Sequence, residues 1–331
     1  MQPYVRKLLL TKEMMSTMHR SVHRAWLRFA VNTLFILGVS VQTATAEGGA
    51  SGMAFLKLGI SARGVAMADA MAASVTGASA TYYNPAGLIP GGEVSETAEI
   101  SLMHKEWIQN TRTEFLGAAV GLGTDNAIGF SLNTTTVSDI EIRTRPGESQ
   151  GTFNTRNLAV GVSYAHRFTE DVRAGVSARF LYEQILVDEA SGIGGDIGLM
   201  YDTPVEGLTA GLAIANIGAM SALRTESSRL PLLARAGVAY PLSLSAAEAD
   251  ILLSADILHL FREELTLGAV GAEVTFARLV AVRAGYQAGS EGRGLSLGGG
   301  VQYGLLTFDY AFSRLAGELG NGHTLALGIR F

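Results

Sequence analysis

The stretch Gly294-Leu295-Ser296-Leu297-Gly298 has the Gly-x-Ser-x-Gly spacing that can present a nucleophilic serine on a sharp strand-to-helix turn. Such a serine needs a histidine base within hydrogen-bond reach and a third group to orient that base. Here the pentapeptide lies inside an alternating apolar–polar run, so it reads as strand and not as a turn. Past residue 46 the histidines are His104, His166, His259 and His323. They fall on different predicted strands or turns, and no two have the spacing of a metal pair. His323, beside the last loop, is the one partner available to a wall serine, and it reads as a girdle or loop histidine. The chain has no cysteine, which excludes a thiolate nucleophile, a thiolate metal site and a disulfide framework. No phosphate loop or dinucleotide fingerprint occurs. The residue types thus point to a non-enzymatic protein with no catalytic, cofactor-binding or metal site, and with no cofactor.

A second set of reactive side chains recurs at even spacing. Arg173, Arg179, Glu183, Asp196, Arg235, Asp250, Asp256, Arg283, Asp309 and Arg330 each fall on the polar face of an alternating segment. If the opposite face meets lipid, these charges must face a lumen, because an arginine toward lipid at mid-membrane costs about 2–4 kcal/mol. Mixed signs favour a pairing network that fills the lumen and holds a plug. A conduction path for polar solutes is the other reading.

The elements that would position these charges are strands. In the last eleven residues Leu325, Leu327, Ile329 and Phe331 share one face, and Ala326, Gly328 and Arg330 share the other. Strict alternation ending on a terminal aromatic is the pattern of the closing strand of an outer-membrane β-barrel, with Phe331 as the assembly signal. The same period runs through Val172–Glu183, Leu232–Tyr240, Leu295–Tyr303 and Leu306–Phe312. Fourteen strands are predicted, at 94–107, 112–122, 126–137, 156–167, 172–187, 195–202, 208–217, 232–241, 249–258, 265–276, 279–287, 293–303, 306–314 and 322–331. Twelve is the count if 94–107 and 195–202 are not strands. The apolar phase switches after Ala269, which predicts a bulge in 265–276. Short and longer connections alternate, the longest being Ser138–Thr155, as periplasmic turns and extracellular loops do. An even strand number puts the N-terminal plug and Phe331 on the periplasmic side. The fold class is therefore an all-β transmembrane antiparallel barrel of about 14 strands, occupying 93–331.

The front of the chain is an export signal. Arg6, Lys7, Lys12, Arg20, Arg24 and Arg28 face a single acid, Glu13, before the apolar run Phe29–Val41 and the small-x-small site Ala44-Thr45-Ala46. Met14, Met15 or Met18 could serve as the start. Removal of 1–46 deepens the net charge of −5, so nucleic acid is not expected as a partner. A chain that is 48% hydrophobic, with 40 glycines and a mean hydropathy of +0.25, suits a wall that turns half of each strand to lipid.

Between signal and barrel, 47–92 does not alternate and is rich in Ala, Gly, Met and Ser. Its small residues suit a compact plug, or hatch, inside the lumen. Pro85 fixes its own φ and restrains Asn84, and Gly87 completes a tight turn. Gly52–Leu58, Leu58–Met67 and Tyr82-Tyr83-Asn84-Pro85-Ala86-Gly87-Leu88 resemble the opening of the PorV/PorQ family of outer-membrane proteins. That family is related to the FadL-like transporters, which share an Asn-Pro-Ala-Gly signature in the hatch. Where the family often carries an acidic cluster before this motif, this chain has Ala73-Ser74-Val75-Thr76-Gly77-Ala78-Ser79.

The resemblance implies residence in the outer membrane among its lipids and insertion by the barrel-assembly machinery. It also implies a hatch motif at Tyr83, Asn84, Pro85, Ala86 and Gly87. As a function it implies a component of type IX-like protein secretion or surface attachment, with secreted cargo or secretion-system proteins as partners. The FadL side implies instead a passive channel for hydrophobic small molecules such as fatty acids or aromatics.

Overall fold

In the computed structural model, residues 51–91, 98–224, 226–244, 248–289, 293–315 and 320–331 are described. The predicted export signal at 1–46 lies outside them, as do the expected plug and barrel boundaries at 47, 92 and 93.

Fourteen strands close into one antiparallel barrel. They are β1 (Ala98–Glu106), β2 (Thr111–Leu122), β3 (Asn126–Glu141), β4 (Thr152–Arg167), β5 (Val172–Ile185), β6 (Asp188–Asp202) and β7 (Thr209–Met220), then β10 (Leu233–Leu244), β11 (Ala249–Leu260), β12 (Leu265–Phe276), β13 (Val280–Ala288), β14 (Arg293–Tyr303), β15 (Leu306–Leu315) and β16 (Asn321–Arg330). A two-stranded hairpin, β8 (Ala222–Leu223) and β9 (Glu226–Ser227), sits in the connection between β7 and β10. β1 pairs with β16 from Glu99↔Arg330 to Glu106↔His323, which leaves no open sheet edge. No described helix is long and apolar enough to cross a membrane.

Alternation explains the wall. On β4 to β6 Val162 is 60% exposed and Ile193 72%, while Arg179 on the strand between is 7% exposed. Apolar side chains line the outer surface and charged ones the lumen, as the period of two requires. The barrel has two rims. Among the described residues, the turn rim carries 123–125, 168–171, 203–208, 248, 277–279 and 304–305, together with the start of β1 and the end of β16. The loop rim carries 107–110, 142–151, 186–187, 221–224, 226–232, 261–264, 289 and 320.

Three expectations change. Strands β3, β4 and β6 run further toward the loop rim than their hydropathy shows: β6 begins at Asp188, and β3 and β4 take up 138–141 and 152–155 of the expected loop. Polar outward residues such as Thr134, Thr136 and Arg156 continue the ladder above the apolar belt, so their polarity marks depth and not a loop. The predicted bulge in 265–276 is absent, since β12 keeps its register with both neighbours. Leu265 and Leu267 share the inward face of β12 with Ala269 and Glu273. What switches after Ala269 is the polarity of the lumen lining, not the phase of the strand. Register shifts lie instead at Val137/Ile140, Gly195/Ile197 and Arg293/Ser296.

The third correction concerns the plug, residues 51–91. It contains helix α1 (Ala62–Ala66), helix α2 (Ala80–Tyr83) and 3-10 turns at Ala54–Lys57, Gly77–Ser79 and Pro85–Leu88. It does not sit wholly on the side of Phe331. Its first residues bond to the loop rim, Gly52 N to Arg229 O at 2.9 Å, and its last to the turn rim, where Arg173 and Arg167 donate to Ile89 O and Pro90 O at 3.0 Å each. The plug therefore runs the length of the lumen.

Candidate functional site

The hatch motif is hydrogen-bonded both within the plug and to the wall. Asn84 is extended, with φ −162°, and its Oδ1 accepts the Ala86 N–H at 3.2 Å to cap the turn Pro85–Leu88. Its Nδ2 donates to Ala72 O at 2.7 Å and Leu199 O at 3.2 Å. One fully buried side chain thus ties two parts of the plug to β6 and leaves no polar atom unpaired. The wall makes room for it with glycine. A Cβ on Gly175 of β5 would stand 2.4 Å from the Pro85 carbonyl carbon, and one on Gly198 of β6 would stand 2.0 Å from Asn84 Oδ1.

Tyr83, also buried, donates to Asp69 Oδ1 at 2.6 Å, and Tyr82 donates to Leu56 O at 2.8 Å. The Arg235 guanidinium from β10 lies over both rings, 5.1 Å from that of Tyr83 and 5.8 Å from that of Tyr82. Ala86 and Gly87 complete the turn, with Gly87 packed so closely that a Cβ would meet Val75 O at 2.4 Å.

The lumen charges fall into pairs. Arg173 meets Asp202 at 2.7 Å, Arg179 meets Asp196, and Arg283 meets both Glu273 and, at 2.6 Å, Asp309. Asp196 also accepts the Asn216 N–H that the β6–β7 bulge frees from the ladder, at 2.8 Å. Asp256 accepts the Ala72 N–H of the plug at 2.8 Å. Glu183 faces Ser228 of the loop-rim connection at 3.5 Å. Asp250 and Arg330 lie at the rims, exposed, Asp250 accepting from Ser243 at 2.7 Å and Arg330 pairing with Glu99 at 2.9 Å. These contacts are the pairing network, and several of them hold the plug.

Sequence reasoning missed two of the anchors. Arg63 on α1 donates through Nε and Nη2 to Glu273 of β12, at 2.9 and 3.0 Å. Glu273 was hidden by the apparent phase switch in its strand, and Arg63 by standing in a segment with no period. Below them a cavity of about 360 Å³ opens at the turn rim, lined by Arg63, Glu273, Arg283, Asp309, Glu99 and Arg330 among others.

The second missed anchor is Glu263, in the turn after β11, which accepts from Ser51 Oγ at 2.5 Å and Lys57 Nζ at 2.8 Å. Burial alone would raise this carboxyl, but Lys57 and Ser51 outweigh it and hold the group below the ordinary carboxylate range. Its folded pKa lies below its unfolded one, so the tie contributes fully above the unfolded value, about 4.3, and is lost as pH falls through the folded value. Lys57 is partly exposed, which limits the pair to under about 1 kcal/mol. Amide-exchange protection factors for 54–58 should therefore fall modestly between pH 6 and pH 3; equal factors at both would show that the tie adds nothing.

Apolar side chains gather in two clusters toward the loop rim. Met53, Phe55 and Leu56 of the plug pack on Leu181, Met220 and Leu230. Beside them Leu233, Leu258, Leu260 and Leu267 point inward around Ala70, with Leu265 against them. These clusters share the loop-rim end of the lumen with buried polar groups such as Lys105, Thr113 and Glu183.

The catalytic spacing dissolves in the wall. Gly294–Gly298 lies within β14, and Ser296 pairs with Ser313 across the lumen face, while His323 stands on the outer face with Tyr310 Oη at 2.8 Å. Gly298 instead seats the plug, since a Cβ there would lie 2.5 Å from that of Ala66. His104, His166 and His259 are also outside the lumen, against Glu114, Asn126 and Thr266. No group of His, Cys, Asp and Glu among the described residues could hold a metal ion. Phe331 is exposed and donates its N–H to Ala98 O at 2.8 Å, fixing the closing strand.

No protein-family model and no curated protein matches this chain. Solved structures do match in fold. The chain is similar to the toluene transporter TbuX of Ralstonia pickettii (TM-score 0.57, 15% identity, covering 82% of this chain and 97% of that one). It is similar also to the toluene transporter TodX of Pseudomonas putida (TM-score 0.59, 12% identity, 82% and 96% covered). A Pseudomonas aeruginosa FadL homologue matches at TM-score 0.52 and 11% identity, with 82% and 98% covered. At these identities the likeness shows the fold alone, that of a closed β-barrel.

Proposed function

We propose that this protein sits in the outer membrane and lets hydrophobic small molecules enter passively through the barrel. The observation that carries this reading is the patch of inward leucines on three adjacent strands, Leu233, Leu258, Leu260, Leu265 and Leu267, at the loop-rim end of the lumen. A wall whose outer face is already apolar gains nothing in lipid from apolar residues on its inner face. Inward leucines suit a lumen that accepts apolar solutes where a water-filled pore would carry polar groups. The FadL-like fold, shared with two toluene transporters, supports the same reading.

The secretion or surface-attachment role implied by the PorV/PorQ resemblance would need a docking surface for cargo, and the described loop-rim connections are short, with Leu223 and Leu230 packed against the cluster of Met53 and Phe55. The channel reading is therefore preferred. Host cells producing the protein should take up a labelled monoaromatic hydrocarbon several-fold faster than cells with empty vector. Equal rates, together with loss of a surface-attached secreted protein on deletion of the gene, would reject the channel in favour of export.

A further inference from the structure

We propose that Asn133 on β3 and Asn157 on β4 form a hydrogen-bonding station in the lumen, which selects neutral solutes carrying a hydroxyl group over hydrocarbons of the same shape. The proposal rests on the channel reading above and names the solute class that the loop-rim end of the lumen discriminates.

The wall opposite the leucine patch is polar. In the order of the barrel β1, β2 and β3 stand seven strands from β10, β11 and β12 respectively, on the other side of the lumen. Lys105, Thr113, Thr135, Asn157 and Glu183 form one unbroken row of cross-strand neighbours from β1 to β5, on the lumen face. Most of the row is engaged. The hydroxyls of Thr113 and Thr135 bond to each other at 2.8 Å. Lys105 donates to Gly59 O at 3.4 Å and lies 4.3 Å over the Trp107 ring. Glu183 accepts from Ser228 at 3.5 Å. The asparagines differ. Asn157 Oδ1 and both side-chain atoms of Asn133 are buried with no hydrogen-bond partner among the described residues. Asn133 is 5% exposed and lies two residues along β3 from Thr135, diagonal to Asn157 and about 7 Å from it at Cβ.

A buried amide without a partner is costly, and leucine would fill the same space without that cost. Asn133 is therefore a poor choice for packing, whereas its unpaired donor and acceptor match a group that both accepts and donates. A hydroxyl does both, a hydrocarbon does neither, and a carboxylate only accepts. Glu183, next to Asn157 in the row, also repels an anion. Lys105, the cation of the row, is three strands from Asn157 and already held by Gly59 and Trp107. The apolar body of the solute has its place beside the amides. Phe115 and Ala159 stand directly across from Asn133 on β2 and β4, and Ala159 belongs to the cluster of Phe55, Leu56 and Leu181. A few polar groups in an apolar surround are what fix specificity in a small-molecule site. The plug segment Met53–Leu56 packs into the same cluster, so a solute reaches the station by displacing it.

Toluene, p-cresol and p-toluate share a ring and a methyl group and differ in one substituent. Their uptake is measured in cells producing the full chain, with the empty-vector rate subtracted. The expected result is that the ratio of p-cresol to toluene uptake falls about tenfold from wild type to Asn133→Leu, the effect of one hydrogen bond at a site built for a hydroxyl. An equal ratio in the two proteins would overturn the station and leave the channel standing. Wild-type uptake of p-toluate at the p-cresol rate would overturn the restriction to neutral solutes. Uptake of none of the three would remove the channel reading, and this proposal with it. The ratio is independent of the amount of folded barrel, and Asn157→Leu replaces Asn133→Leu should the latter fail to assemble.

Discussion

Glu273→Ala should unseat the plug. Glu273 is the acceptor shared by Arg63 of α1 and Arg283 of β13, and its loss leaves two guanidinium groups face to face with Asp309 as the remaining carboxylate. Removing one partner of a buried ion pair costs about 3–5 kcal/mol, because the survivors stay desolvated and unneutralised. Arg63 keeps a quarter of its side chain open to the turn-rim cavity, which places this case at the lower end, about 3 kcal/mol. The cavity lies directly beneath α1, so the same change should extend it upward along the plug. Two readouts check this: a lower unfolding temperature of the barrel in detergent, and a higher single-channel conductance to small ions. Glu273→Gln retains one acceptor and should lie between. Wild-type conductance in Glu273→Ala would mean that α1 is held by packing alone, against seats such as Gly298.

The second large effect is expected at the inward leucine cluster. Replacing Leu258 and Leu267 together by serine should reduce hydrocarbon uptake by about a hundredfold. Two inward leucine side chains offer an apolar solute about 2.8 kcal/mol of transfer energy between them, and each 1.4 kcal/mol is a factor of ten. Both side chains are buried on the lumen face, in register across β11 and β12, so the substitution leaves the lipid-facing surface untouched. Leu258→Met with Leu267→Met keeps the lining apolar and should retain uptake, which separates polarity from packing. Uptake by the double-serine variant at the wild-type rate, with the barrel folded, would remove the leucine patch from the route.

Much of this protein was legible in one dimension. A strand facing lipid on one side and lumen on the other must alternate, so all fourteen strands, the closing Phe331, and the inward placement of Arg173, Arg179, Arg235 and Arg283 follow from local period alone. The Asn84–Gly87 turn was legible too, because Pro85 and the capping asparagine act within a few residues. Partners were not. Nothing local links Arg63 to Glu273, or Ser51 to Glu263, since each pair joins segments about 210 residues apart that the closed wall brings within 3 Å.

The lumen lining was misread for a related reason. Leu265 and Leu267 looked lipid-facing because apolar side chains on a barrel strand usually are, and the switch after Ala269 was therefore assigned to the backbone. Only the closed wall shows these leucines meeting Leu233, Leu258 and Leu260 from neighbouring strands around Ala70 of the plug. The direction of the plug was likewise decided in three dimensions. A small-residue segment has no period to reveal where it lies, and its path is set by contacts at its two ends, to Glu263 and Arg229 at one rim and to Arg167 and Arg173 at the other. The sequence by itself determined a lipid-facing, fourteen-stranded wall, because the solvent on each face dictates residue type at every second position. The tertiary structure decided what fills that wall and which way it runs, because those depend on pairings across the lumen that no local pattern encodes.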